Sequence, residues 1–211
     1  MVDFLAAYKM EARYPSGTVM ALLNSEFMTP ITSRVLGQRI AMATSTELLF
    51  FNAADFEMLS IVCDRLMAQD SNDRIVNCAI FIDERLSKNN CDGWRYNSLP
   101  PDNELYLEGL PGIRELALQL YNRTFNELTE HFQLEILQSL QNGTAKGGVW
   151  EKIPPQLFFE EVLAETTEIF YSYPLVQEEF GYIGMADAKG WTKIGLNQKN
   201  DIEPEPLIDQ S

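Results

Sequence analysis

The sequence predicts an all-α fold, a single helical bundle of about five main helices, and three observations lead there. Apolar residues recur at spacings of three and four through several long stretches, the periodicity of one buried helical face. Strand-like alternation is scarce, and no repeat of 20–50 residues is visible. The loops between the periodic stretches are short to medium, which suits helices packed on helices. With 211 residues the chain forms one domain, long enough to bury most of its apolar surface without disulfide staples. Its organisation is read as an N-terminal arm over 1–45, a helical core over 46–173, and an extended, glycine- and aromatic-rich C-terminal segment with an acidic tail over 174–211.

The elements follow in order. Tyr14-Pro15-Ser16-Gly17 signals a turn, and Met28-Thr29-Pro30 stops the chain before a short helix from Ile31 to Ile40, so the arm is expected to wrap the core. Asn52 precedes the helical series Phe56, Leu59, Cys63 and Leu66, with Asp55 in the position of a capping-box acid, which predicts a helix over 53–68. Ile75, Ala79, Ile82 and Leu86 predict a second amphipathic helix, ending before Asn89-Asn90-Cys91-Asp92-Gly93. A loop follows over 94–101. Leu105, Leu110, Ile113, Leu116 and Leu120 keep helical spacing from Asp102 to Tyr121, but Pro111-Gly112 is expected to split this stretch into two pieces. Thr124 or Thr129 caps the next helix, which carries Phe132, Ile136, Leu137 and Leu140 and stops at Asn142-Gly143. Pro154-Pro155 opens a helix over 155–172 bearing Phe158, Val162, Ile169 and Tyr173, and Pro174 bars its extension. Loop and extended chain are expected beyond it.

Composition narrows the function. Lys and Arg number 16 against 31 Asp and Glu, a formal charge of −15, and such a field repels a phosphate backbone and argues against nucleic acid. No run approaches the 18 apolar residues of a membrane span. Cys63, Cys78 and Cys91 are an odd set without a C-x-x-C pattern, so no disulfide framework is expected, and Cys63 reads as a small buried hydrophobe. The start has an early acid, no twin arginine and too short an apolar stretch for a signal peptide. The expected compartment is therefore the cytoplasm, or the periplasm by co-export on a partner.

Motifs for chemistry are sparse. The single His131 rules out sites that need two imidazoles, including paired Glu-x-x-His di-iron centres and the zincin pattern, and it reads as a solvated or capping residue. The segment 143–148 is glycine-rich, yet its lysine precedes the second glycine, no Lys-Ser/Thr follows and no strand leads in, so it fails as a phosphate loop. Neither a dinucleotide fingerprint nor a nucleophile elbow is present. Glu161, Glu165 and Glu168 share one helical face and read as a solvated acidic surface. The C-terminal third is richer: nine of the 23 aromatics, from Trp150 to Trp191, lie within 42 residues, a density that serves a core or an interface. Phe158 and Tyr173 have core spacing, whereas Tyr171, Tyr182 and Trp191 sit among glycines and loops as interface candidates.

The order of short motifs resembles the gluconate 2-dehydrogenase subunit 3 family. The motifs are Arg13-Tyr14-Pro15; Thr32-Ser33-Arg34-Val35 with Arg39; Phe50-Phe51-Asn52; Cys63-Asp64-Arg65-Leu66; and Ile82-Asp83-Glu84-Arg85-Leu86. Gly93-Trp94-Arg95-Tyr96, Leu99-Pro100-Pro101, Phe158-Phe159, Phe170-Tyr171-Ser172-Tyr173-Pro174 and Phe180-Gly181-Tyr182 continue the series to Gly190-Trp191 and Ile194. None is specific alone; their shared order over about 13–205 carries the resemblance. It implies a non-catalytic small subunit without a cofactor of its own. The partner, a large dehydrogenase of the glucose-methanol-choline type, holds FAD and oxidises a sugar, glycoside or related alcohol, and electrons pass to a cytochrome c or another acceptor. The small subunit stabilises or matures that flavoprotein. Two departures stand out: exported members carry a twin-arginine signal that this sequence lacks, and Tyr173 occupies the position where the family has histidine before the proline. The partner interface is expected at Tyr171, Tyr173, Pro174, Phe180, Gly181, Tyr182 and Trp191, and removal of 174–211 is expected to lower the flavoprotein's soluble yield. The competing readings are a general helical scaffold or adaptor, and a free-standing metal-dependent enzyme built on acidic side chains.

Overall fold

The computed structural model describes residues 15–90, 95–182 and 195–198. Eight α-helices run through them, and no strand occurs among the described residues. They are α1 (Thr18–Leu23), α2 (Pro30–Met42), α3 (Ala53–Leu66), α4 (Cys78–Ser87), α5 (Asp102–Tyr121), α6 (Glu130–Gln141), α7 (Pro155–Ser172) and α8 (Pro174–Glu179), with single 3-10 turns at Phe125–Glu127 and Gly148–Glu151. The all-α expectation holds.

Helix α3 is the hub, packing on α4, α5, α6 and α7, while α7 also packs on α4, α6 and α8. Their apolar faces close over one continuous core that includes Leu59, Ile82, Ile113, Ile136, Leu140 and Phe158, each almost wholly removed from solvent, and this burial is the main favourable contribution to folding. The helix starts obey local chemistry. Asn52 accepts the Asp55 N–H at 3.0 Å and donates from its own amide to the Asp55 carboxylate at 2.6 Å, so the acid reaches the cap's side chain rather than its backbone. Asn77 caps α4 through the Ala79 N–H, which starts that helix at Cys78 and leaves Ile75 ahead of it, packed on the core. Thr124 heads the 3-10 turn, its N–H and hydroxyl both donating to Glu127, and Thr129 opens α6.

Three expectations need correction. Pro111 does not divide α5, which is continuous from Asp102 to Tyr121. Proline removes one helical hydrogen bond there, but Gly109 faces the Phe158 ring and Gly112 faces Val149 and Trp150, and this close packing holds the turn in place. The chain does not become extended at residue 174: α7 ends at Ser172, Tyr173 turns, and Pro174 occupies the first position of α8, where its missing N–H costs nothing. Finally, Glu165 is not a solvated acid, since it is one of the main cross-braces described below.

Candidate functional site

The polar residues of the core motifs turn out to brace the frame. Asp83 on α4 is fully buried and accepts three backbone N–H groups, from Leu49 at 2.7 Å, Phe50 at 3.1 Å and Phe51 at 2.8 Å. That seats the segment before α3 against α4. Arg85, two residues further on, forks onto Glu165 of α7 through Nε (2.5 Å) and Nη2 (2.8 Å), and its Nη1 reaches Asp102 of α5 at 2.6 Å and the Asn90 carbonyl at 2.8 Å. The Tyr106 hydroxyl completes the cluster by donating to Glu165 at 2.6 Å. Burial works to lower the Arg85 pKa, but the hydrogen bonds and charge of Glu165, with Asp102, outweigh it and hold the guanidinium above its usual range. Burial first, and then Glu165, push the Tyr106 phenol up, so it stays a donor. Asp64 takes Arg74 Nη2 at 2.5 Å and the Ser71 hydroxyl at 2.9 Å. Arg65 donates to Gln133 at 3.0 Å and lies 3.3 Å from Glu130.

Groups with chemical potential are placed as follows. His131 is exposed at the start of α6, 3.3 Å from Glu135. Cys63 and Cys78 are buried free thiols that meet Thr166, at 3.5 Å from its hydroxyl and 3.9 Å from its carbonyl respectively. Burial, then mutual charge repulsion, pushes the Cys63 thiol far up, and burial, then Asp64, pushes Cys78 to about 12, which suppresses the nucleophilic thiolate. Among the described residues no three His, Cys, Asp or Glu side chains gather as metal ligands. A cleft of about 310 Å³ lies beside α3, lined by Phe56, Glu57, Ser60, Ile61, Arg74 and Asn77 among others. Asn77 already bonds Ser60 and the Ala79 N–H, and Arg74 bonds Asp64, so these groups serve the fold first.

The outer surface is different at the corner where α7 meets α8. Tyr171, Phe180 and Tyr182 are all exposed, with the Tyr171 and Phe180 rings 5.3 Å apart and Phe170 edge-on to Tyr171 at 5.2 Å. Gly181 lies between them with φ of +72°. Tyr173 and Pro174, expected at the same interface, are buried instead: Tyr173 packs against Phe81, and Pro174 lies inside the α7–α8 turn, so in this fold they offer no outward surface. Trp191 lies outside the described residues. The reading missed Phe27, Ile31 and Val35, which are also exposed. Helix α2 is joined to the same corner by Arg39, whose Nη1 donates to the Ser172 carbonyl at 3.0 Å. Ile31 and Val35 are four apart on its outward face, and the signal lay in their spacing, which reads as a core face when the partner surface is not known. Further exposed apolar residues lie along α5 and α6, including Leu118 and Leu134.

These features describe an all-helical protein whose internal polar residues brace helices and whose outer face gathers aromatic and aliphatic surface. The comparison with protein families is specific: the model for gluconate 2-dehydrogenase subunit 3 matches residues 53–196. The chain belongs to the gluconate 2-dehydrogenase subunit 3 family. The family's description is of a subunit of a dehydrogenase complex. The matched region opens with α3, so α1 and α2 precede it. No curated protein and no solved structure matches the chain. None of the described helices is long and apolar enough to cross a membrane.

Proposed function

We propose that the chain is the non-catalytic small subunit of an FAD-dependent dehydrogenase of the glucose-methanol-choline type, and that it stabilises or matures the large flavoprotein while that partner oxidises a sugar, glycoside or related alcohol. The observation that carries this reading is the family match over 53–196. Two features of the chain support it. Its core acids and arginines are used in cross-braces, as a supporting subunit requires, and its exposed aromatics suit a contact surface, since Tyr and Phe contribute large area at low entropic cost. In this reading FAD belongs to the partner, the electrons leave to a cytochrome c or another acceptor, and the complex works in the cytoplasm or is carried to the periplasm on its partner.

The test is co-expression with the neighbouring open reading frames, followed by purification through a tag on the chain. A yellow complex with a flavin absorption spectrum and dye-linked alcohol oxidation is expected, and the chain alone should be colourless and inactive. Turnover of an alcohol by the chain alone, or failure to capture any flavoprotein, would sink the proposal. The informative truncation falls after residue 182 rather than at 174, because α8 belongs to the bundle and Tyr173 and Val176 are core residues. Loss of 183–211 is expected to lower the yield of soluble flavoprotein without unfolding the small subunit.

A further inference from the structure

Helices α1 and α2 are held differently from the other six. No residue of α2 is fully buried. Val19 and Leu23 of α1 and Met28 in the following turn are buried, yet none of the three belongs to the continuous core that runs from Phe51 to Val176. Helix α1 packs chiefly on α8 and α2. Ile40 near the end of α2 and Ala43 just past it pack against the main core, and α1 rests on α8.

Polar contacts fasten the other end. Glu178 on α8 is only 6% exposed, and its two oxygens accept the Gly17 N–H at 2.8 Å and the Val19 N–H at 2.6 Å. Gly17 has φ of +90° and supplies no side-chain cap to α1, so a carboxylate 161 residues away does the work of an N-cap. Arg39 adds one bond to the carbonyl end of α7 at Ser172, a favourable place for a cation. The Ser33 hydroxyl, by contrast, bonds the Leu23 carbonyl inside the unit and ties α1 to α2.

We propose that residues 15–42 form a strap that opens and closes as one unit on an intact bundle, with Glu178 as its clasp and 43–48 as its hinge. Opening breaks the Glu178 and Arg39 bonds and exposes Val19, Leu23 and Met28, but leaves the helices from α3 onward packed, so it costs less than unfolding the bundle. The open state uncovers the side of α8 that carries Glu178, next to the exposed Tyr171 and Phe180.

Amide hydrogen exchange of the full chain, read by mass spectrometry, tests this. Peptides covering 18–42 should exchange at least about tenfold faster than those of α3, α4 and α7. Glu178→Gln should accelerate the strap peptides by a further factor of about ten, the loss expected for bonds to a charged acceptor, and leave α3, α4 and α7 unchanged. Arg39→Ala, a milder change on the surface, should give the same pattern with a smaller factor and provides the reading if Glu178→Gln does not fold. Asp83→Asn, which weakens a brace of the bundle outside the strap, should accelerate α3, α4 and α7 and leave the strap peptides, which exchange through their own opening, nearly unchanged. Strap exchange as slow as the core in the unaltered chain, or an equal acceleration of all helices by both strap variants, would overturn the proposal.

Discussion

Glu165 shows how much one side chain can decide. Its spacing with Glu161 and Glu168 reads as an acidic stripe facing water, but in the fold it receives Arg85 in a two-pronged pair and the Tyr106 hydroxyl. Spacing reveals which residues share a helix face, not which face a neighbouring arginine covers, so this residue was not readable from sequence. Glu165→Gln keeps the shape and removes the charge, leaving Arg85 half satisfied. It should lower unfolding free energy by about 1.5–3 kcal/mol in urea titrations, whereas Glu168→Gln, at an exposed position, should be near neutral. The thiols give a second expectation. Cys63 and Cys78 should resist an aromatic disulfide reagent at pH 8 until urea unfolds the chain, and rapid reaction of more than one of the three thiols in the native protein would contradict their burial. Because Cys78 has a folded pKa of about 12 against an unfolded value of 9.0, the native state holds the proton more tightly. Its contribution to stability is complete below pH 9 and is lost as pH rises from there toward 12, so alkaline urea melts of Cys78→Ser should fall less steeply than those of the unaltered chain.

Helices α3, α4, α6 and α7 are legible because each carries a periodic apolar face and ordinary punctuation, such as Asn52 before α3, Pro155 at the start of α7 and Asn142 after α6, while α2 is marked by Pro30 at its start. Their failures of prediction have local causes. Helix α1 is only six residues long and has no repeat to detect, and α8 hides behind Pro174, which stops one helix and begins the next. Helix α5 survives Pro111 because its two glycines let Phe158, Val149 and Trp150 approach the backbone, a long-range fact that no window of sequence contains. A methyl group at Gly109 would overlap the Phe158 ring, and one at Gly112 would meet Val149 and Trp150. Gly109→Ala should therefore destabilise by about 1–3 kcal/mol despite alanine's better helix propensity, with Gly112→Ala similar. A thermal melt that rises on either change would show that the contact is looser than described.

For the assembled protein, the fold was more readable than its surface function. Binary patterning fixes which helices exist and which faces they bury. An interface has no such internal signature, because exposed apolar residues at helical spacing look like core until a neighbour is seen. The aromatic members Tyr171, Phe180 and Tyr182 stood out among glycines and loops, while Phe27, Ile31 and Val35 did not. Tyr173 and Pro174 stood in the same motif and proved to be packing residues. If the α7–α8 corner receives the flavoprotein, Tyr171→Glu combined with Phe180→Glu should weaken co-purification by about thirtyfold or more, the loss typical of an interface hot spot. The small subunit's own stability should move by no more than about 0.5 kcal/mol per site. Undiminished capture of the partner by a well-folded double variant would assign docking to another face.

The 161-residue span between Gly17 and its acceptor on Glu178 also orders events during synthesis. At about 5–20 residues per second, the ribosome supplies the carboxylate roughly ten to thirty seconds after the amides that need it. Throughout that interval Val19 and Leu23 wait without their covering helix, while the faces that α3 to α7 share can close before theirs does.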